Sequence, residues 1–371
     1  MVNNPKCAVC GGKTKKNGAT SSGTPRFRCT SCGASQTRKI DNRAKRLSEF
    51  LSWLFSKDIQ KDLAGEGRTF RRRVSEFWSI WPIAPYTGEI CDVVFLDGIW
   101  ITRHIVVLIA STRGHVLAWH LAQSENSEAW AALMLRIPAP TMAVSDGSPG
   151  LAKAARVIWP NTRIQRCLFH VFESVKRCTT TRPKLDCGCE LYSLAKKLLK
   201  AKDADGAATW LAEYNDWCTK WERFLREFTL KDGKRQYTHE RLRKARNTLN
   251  RLIREGTMFT FVELQEELGG VWESTNNAIE GGVNAQLRKL LRNHSGITTM
   301  HRIKAVFWWC YMHTECPLKP AETLRMMPTD DDVEGLFAST SNGKKDEDGS
   351  PEEYGSGIVW SEFHMPTEYR Q

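Results

Sequence analysis

The chain has 371 residues, 41% of them apolar and 26% charged, a balance that excludes a membrane-embedded or wholly disordered protein and suits two or three modules around one main core. No apolar run approaches the ~20 residues that span a bilayer, and the start MVNNPKC lacks the apolar core of a secretory leader. A cytoplasmic location is therefore expected, with the 12 cysteines reduced and close cysteine pairs read as metal ligands before disulfides.

The charge is uneven. Residues 1–327 hold 51 bases against 31 acids, residues 1–82 alone hold 17 against 6, and residues 328–371 hold 3 against 11. A basic front of that size points to a polyanion partner, nucleic acid first, over a merely solvated surface.

Two close pairs open the chain, Cys7-x2-Cys10 and Cys29-x2-Cys32, each followed by a glycine (Gly11, Gly33) that lets the backbone fold over an ion. Four thiolates at this spacing close a tetrahedral Zn2+ site, and a segment with so few large apolar residues needs the metal to fold. Next, Leu47, Phe50, Leu51, Leu54, Ile59 and Leu63 recur at helical spacing, Gly65 and Gly67 interrupt, and Phe70, Val74, Phe77 and Trp78 resume. That pattern predicts a helix-turn-helix whose second helix carries Arg68, Arg71, Arg72 and Arg73 for contact with DNA. A helical connector with an exposed arginine face is the competing reading.

Three β-branched runs follow at 93–101, 104–110 and 115–121 and predict adjacent antiparallel strands. Ser127 is the expected cap of a helix, 141–145 a short strand ending in Asp146-Gly147, Ser148-Pro149 the start of another helix, and 164–168 a fifth strand. The order βββαβαβ, with acids on the first and fourth strands, suggests a ribonuclease-H-like α/β core. Asp97 interrupts the apolar strand VVFLDGIWI, where a carboxylate is costly unless paired or metal-bound. Asp146 stands at the carboxyl end of its strand, the usual edge for ligands in open α/β sheets. Two such acids and a third from a helix can hold two Mg2+ ions for in-line attack on a phosphodiester. For the third, Glu280 in TNNAIEGGVNAQLRKLLR is chosen over Glu273. Thr275 is the expected cap of that helix, with Asn277, Glu280, Asn284, Leu287 and Leu291 on one face and Arg288 and Arg292 placed to meet phosphates. Gly281 and Gly282 inside a helix each cost ~1 kcal/mol and call for a reason, such as close approach to the sheet or to a bound strand.

The combination of FLDGIWI, VSDGSPGL, RCLFH and STNNAIEGGVNAQLR resembles bacterial insertion-sequence transposases of the Mutator-like superfamily, over about residues 92–313. The amino-terminal zinc ribbon with helix-turn-helix is also similar to members of that group. The resemblance implies a DDE triad of Asp97, Asp146 and Glu280 in a ribonuclease-H-like fold with an all-helical insertion. It further implies two Mg2+ ions, replaceable by Mn2+, that serve end cleavage and strand transfer. Double-stranded DNA, as terminal inverted repeats and target, would be the partner of a homodimer or higher oligomer at the prokaryotic nucleoid. A structure-selective nuclease without strand transfer and a non-catalytic, domesticated DNA-binding regulator are the rival functions.

Cys167-x2-His170 matches the family's signature after the second acid, whereas Cys187-x-Cys189 does not belong to it. Two jobs are open for Cys167 and His170: a polar contact that orients the insertion, or a second zinc site completed by Cys187 and Cys189. Within the insertion, Trp210, Tyr214, Trp217, Trp221, Phe224 and Phe228 form a stripe that reads as packed helix core, and Arg241, Arg243, Lys244 and Arg246 as outer positions near DNA. The acid-rich end is expected to be disordered, either solvating or self-inhibiting. The expected organisation is a zinc ribbon over 1–40, a helix-turn-helix over 41–85, a catalytic core over 90–170 and 273–315, an insertion over 171–272 and the acidic tail over 328–371.

Overall fold

The computed structural model describes residues 4–37, 41–63 and 65–340. At the amino end, β1 (Thr14–Ala19), β2 (Pro25–Cys29) and β3 (Ser35–Thr37) form an antiparallel sheet in that order. Next come α1 (Arg43–Phe55), a 3-10 turn at Gln60–Asp62 and α2 (Arg68–Val74). Gly67 has φ +70°, and a Cβ there would lie 2.2 Å from the Gln60 carbonyl oxygen, so the turn before α2 requires glycine.

The centre is a five-stranded sheet of order β6-β5-β4-β7-β8, built from β4 (Val93–Thr102), β5 (Ile105–Ser111), β6 (Val116–Ala122), β7 (Met142–Ser145) and β8 (Arg163–Arg166). The first three strands run antiparallel, while β7 and β8 join parallel to β4. Side chains alternate across the pleat. Val94, Leu96, Val106 and Leu108 pack on one face beneath α3 (Ser127–Met134) and α4 (Pro149–Ile158). Phe95, Ile99, Val107 and Val144 belong to a second apolar layer that includes Trp308 and Trp309 of α12 (Thr299–Met312). Two local expectations shift. Asn126, not Ser127, caps α3, accepting the Ala129 amide at 2.8 Å, and Ser148 begins α4 ahead of Pro149 without a side-chain cap bond.

The segment between Asp146 and Glu280 contains α5 (Leu168–Thr179), α6 (Asp186–Leu198), α7 (Ala204–Lys220), α8 (Glu222–Leu225), α9 (Glu240–Arg254) and α10 (Thr260–Leu268). It is not all helical. The strands β9 (Phe228–Lys231) and β10 (Lys234–Tyr237) form a hairpin whose turn residues Asp232 and Gly233 both have positive φ, 51° and 72°. Asp-Gly between strand-forming residues is a strong hairpin signal, and it outweighs the helical step of the stripe. Accordingly Trp210, Tyr214 and Trp217 are buried and Trp221 and Phe224 pack against them, but Phe228 leaves the stripe for the hairpin and is 41% exposed.

The chain returns through a π-helix (Ala278–Asn284), α11 (Ala285–Asn293), α12, α13 (Pro320–Met326) and α14 (Asp330–Thr340). The residues expected as a separate helix-turn-helix share their core with these elements: Phe50 meets Trp308 edge-on with centroids 6.2 Å apart, and Leu54 O lies 2.8 Å from His294 Nε2. The acidic tail also needs correction at its start. Asp330 Oδ1 accepts hydrogen bonds from Lys304 Nζ at 2.5 Å and Trp81 Nε1 at 2.7 Å, and residues 330–340 are helical rather than disordered. A buried lysine demanded a counter-charge, and composition alone did not reveal it. The cluster at 346–348 lies outside the described residues.

Candidate active site

Asp97 lies within β4, on the face it shares with Phe95 and Ile99. The parallel register Leu96↔Ser145 makes the next residues, Asp97 and Asp146, neighbours where β7 ends. Asp146 Oδ1 accepts the Ser148 amide at 2.9 Å, which bends the chain into α4. Gly147 has φ +85°, and a Cβ there would overlap the Arg166 guanidinium, which leaves the end of β8 one strand further on. Burial pushes the Arg166 pKa down while Asp146 acts to raise it, and Arg166 Nε and Nη1 are buried without a hydrogen-bond partner.

Glu280 reaches the same place from the π-helix. The expected α-helical face is replaced by this wider coil, which is anchored to β4 at two points. Asn276 Nδ2 donates to Leu96 O at 3.1 Å, and Asn284 Nδ2 donates to Asp97 Oδ2 at 2.7 Å. Both asparagines are fully buried. A Cβ on Gly281 would meet the Asn277 side chain at 2.9 Å, and one on Gly282 would meet nothing within 4 Å. The sheet therefore does not explain the glycines. Their weak α-helix preference matches a segment that leaves α geometry, a feature frequent at functional sites.

Two of the three carboxylates are held above the usual carboxylate range. Asp97 is pushed up to about 7, first by burial and then by Asp146, Glu280 and Glu125, against the lowering effect of the Gly98 amide on its Oδ1 at 2.9 Å. Burial likewise raises Glu280, opposed by His170 and Arg288. Glu273 is elsewhere, paired with Arg113. Arg288 and Arg292 are exposed on α11.

Cys167 and His170 meet Glu280 rather than Cys187 and Cys189. Their ligand atoms lie within 4.8 Å of a Glu280 oxygen, with His170 Nδ1 3.2 Å from Glu280 Oε1 in an ion-pair contact that lacks hydrogen-bond alignment. Cys167 Sγ accepts the Asn276 amide at 3.1 Å, which ties the start of α5 to the π-helix. Cys187 is instead buried in the insertion, where Trp217 Nε1 donates to its carbonyl at 3.0 Å, and Cys189 is exposed with its thiol on Pro183 O at 3.2 Å. The two-residue spacing of Cys187 and Cys189 sends them to different sides of α6, so they do not complete a site with Cys167. Glu125, Asn276 and Arg166 escaped the sequence reading. A buried asparagine in a polar run has no local mark, but the doubled Asn276-Asn277 before an apolar residue was a usable hint.

The amino-terminal cysteines form a second cluster. Cys7, Cys10, Cys29 and Cys32 sulfurs lie within 4.8 Å of one another, with Cys10–Cys32 at 3.4 Å and Cys10–Cys29 at 3.5 Å. Amides of Cys32 and Ser31 point at Cys29 Sγ and hold its thiol down at about 6. Four convergent sulfurs with amide support can bind zinc. The arginines of α2 are exposed, with Arg73 paired to Glu49 at 2.9 Å and Arg71 donating to Glu66 O at 3.0 Å. In the insertion, Arg243 donates to Leu225 O at 2.8 Å, Arg241 to Arg177 O, and Arg246 Nε is buried, so Arg241 and Lys244 are the exposed members of that set.

Residues 101–295 match the family model described as Transposase, Mutator family. The match spans more than half of the chain, and the chain belongs to the Mutator family of transposases. Asp146, Cys167, His170 and Glu280 fall inside the matched span, while Asp97 stands just before it on the same strand. A search of curated proteins finds no match to the chain.

Proposed function

We propose that this protein is a DDE transposase of a bacterial insertion sequence, in which Asp97, Asp146 and Glu280 hold divalent metal for cleavage of element ends and strand transfer. The observation that carries the reading is the convergence of the three acids: adjacent parallel strand ends supply two, and the Asn284-anchored π-helix supplies the third. The strand order β6-β5-β4-β7-β8 supports a ribonuclease-H-like core.

The donor set fits a hard cation. Glu280 Oε1 and Asn284 Oδ1 are buried with no hydrogen-bond partner, and Asp97 is difficult to ionise among its neighbours without a positive charge. Bound Mg2+ or Mn2+ would activate an attacking hydroxyl and stabilise charge on the phosphate. The protein's own groups position the carboxylates, while Arg166, which acts on Asp146, and Arg288, which acts on Glu280, would supply counter-charge to phosphate oxygens, with the exposed Arg292 further along the same helix. The amino-terminal cysteines would hold structural zinc, and the ribbon with the arginines of α2 would bind terminal inverted repeats, in a dimer or larger assembly at the nucleoid.

The test uses full-length protein and DNA from both flanks of its coding sequence, where inverted repeats should lie. Asp97→Asn, Asp146→Asn and Glu280→Gln should each reduce cleavage at least a thousandfold while band-shift affinity stays within about threefold. Glu273→Gln should cleave normally. Wild-type cleavage by all three triad variants would refute the reading, and cleavage without joining would favour a nuclease.

A further inference from the structure

Asp97 lies within electrostatic reach of a fourth carboxylate, Glu125, which also acts on Asp146 from the loop between β6 and α3. Its approach is built into the backbone. Gly98 and Trp100 point to the face of β4 opposite Asp97, the face covered by α3 and α4. A Cβ on Gly98 would stand 2.6 Å from Glu125 Oε1 and 3.0 Å from Val106 Cγ2, so the glycine directly after Asp97 leaves the space that this carboxylate fills. Trp100 Nε1 donates to the same oxygen at 2.9 Å. Behind it, Gly150 in the first turn of α4 lets that turn close on the Glu125 carbonyl, 2.3 Å from where a Cβ would be. The loop is thereby pinned beside the helix that follows Asp146.

A carboxylate held within electrostatic reach of two others is unfavourable unless a cation compensates. An independent sign of a missing ligand is Asn284: fully buried, it gives its amide nitrogen to Asp97 and leaves Oδ1 without a partner.

We propose that Glu125 is a further metal-binding residue of the active site, serving the cation held by Asp97 and Asp146 from the α3 side, while Glu280 serves it from the π-helix side. The proposal rests on the metal-dependent reading above. Gly98 and Trp100 are its positioning residues, one by absence of a side chain and the other by its indole N–H.

The test is Mn2+ titration of zinc-loaded full-length protein, followed by electron paramagnetic resonance, with Mn2+-dependent cleavage measured in parallel. Glu125→Gln keeps the shape and the indole contact, and should weaken Mn2+ binding at least tenfold and raise the Mn2+ needed for half-maximal cleavage by a similar factor. Gly98→Ala should act in the same direction by displacing the carboxylate, and Trp100→Phe should give a smaller shift. Wild-type Mn2+ affinity in Glu125→Gln overturns the proposal, whether cleavage is kept or lost. If Asp97→Asn is inactive and loses Mn2+ while Glu125→Gln does not, only this inference fails. If Asp97→Asn cleaves normally, the underlying reading fails instead.

Discussion

Residues 4–37 bury only Cys7, Thr14, Phe27 and Cys29, whereas the five-stranded sheet is covered on both faces by apolar layers that include Trp119, Trp130 and Trp308. The ribbon has thiols where the sheet has a core. Area removed from water contributes roughly 25 cal/mol per Å2, so the sheet has an apolar core to fold on and the amino-terminal segment would need an ion in its place. Under the proposed function, metal would have opposite meanings in the two regions: at the cysteines it would be the condition for structure, and around Asp97 it would relieve charge in a structure that already exists.

The largest expected effect follows from that contrast. A strong zinc chelator should unfold residues 4–37 completely, with loss of one bound zinc and of amide dispersion in that segment, while the main thermal transition moves by no more than a few degrees. A core that melts together with the ribbon would break the distinction.

Acid should act on the core as well as on the amino-terminal thiolates. His120, buried under α3 on β6, is pushed down to about 4 by burial and by Arg136, and burial with Lys304 nearby also takes His301 to about 4. Both folded values lie below the ordinary 6.5, so the stabilisation from keeping these rings neutral is present above about pH 6.5 and lost as pH falls towards 4. Urea titrations should show the wild type losing roughly 3 kcal/mol for the buried His120 ring over that window and less for the half-buried His301, and His120→Leu should flatten its share.

Lys304 ties the core to the acidic segment. Its side chain is 1% exposed and its partner Asp330 33%. Lys304→Ala should destabilise by about 2 kcal/mol, below the range for fully buried pairs because Asp330 can reach water. The loss should shrink above about 0.5 M salt only slightly, unlike that of surface pairs.

The smallest effect belongs to the hairpin. Gly233→Ala places a Cβ at φ 72° and should cost about 1 kcal/mol, detected as faster amide exchange at Thr229 and Gln236, which face each other across β9 and β10. The sheet should not respond.

The features legible from sequence are those whose cause is local. Two Cys-x2-Cys pairs carry their own metal geometry, apolar runs declare β4 to β7 while the strand expected over 164–168 forms at Arg163–Arg166, and Asp146-Gly147-Ser148-Pro149 writes its own turn and helix start. Asp97 could be singled out because a carboxylate in an apolar strand is costly wherever that strand is placed. The helical stripe stops short of Phe228 because Asp232-Gly233, a local signal, turns the chain into a hairpin there. What tertiary structure decided depends on which elements meet. The π-helix arises where Asn276 and Asn284 bond to β4. The pairing of His170 with Glu280 in place of Cys187 and Cys189 follows from how α5 and α6 pack, and the helical order of residues 330–340 accompanies Lys304 burying its charge. Glu125 comes within electrostatic reach of Asp97 because Gly98 leaves room for its carboxylate on β4. Such contacts join residues tens to hundreds of positions apart, and their energies exist only once the backbone has brought them together, so no window of sequence contains them.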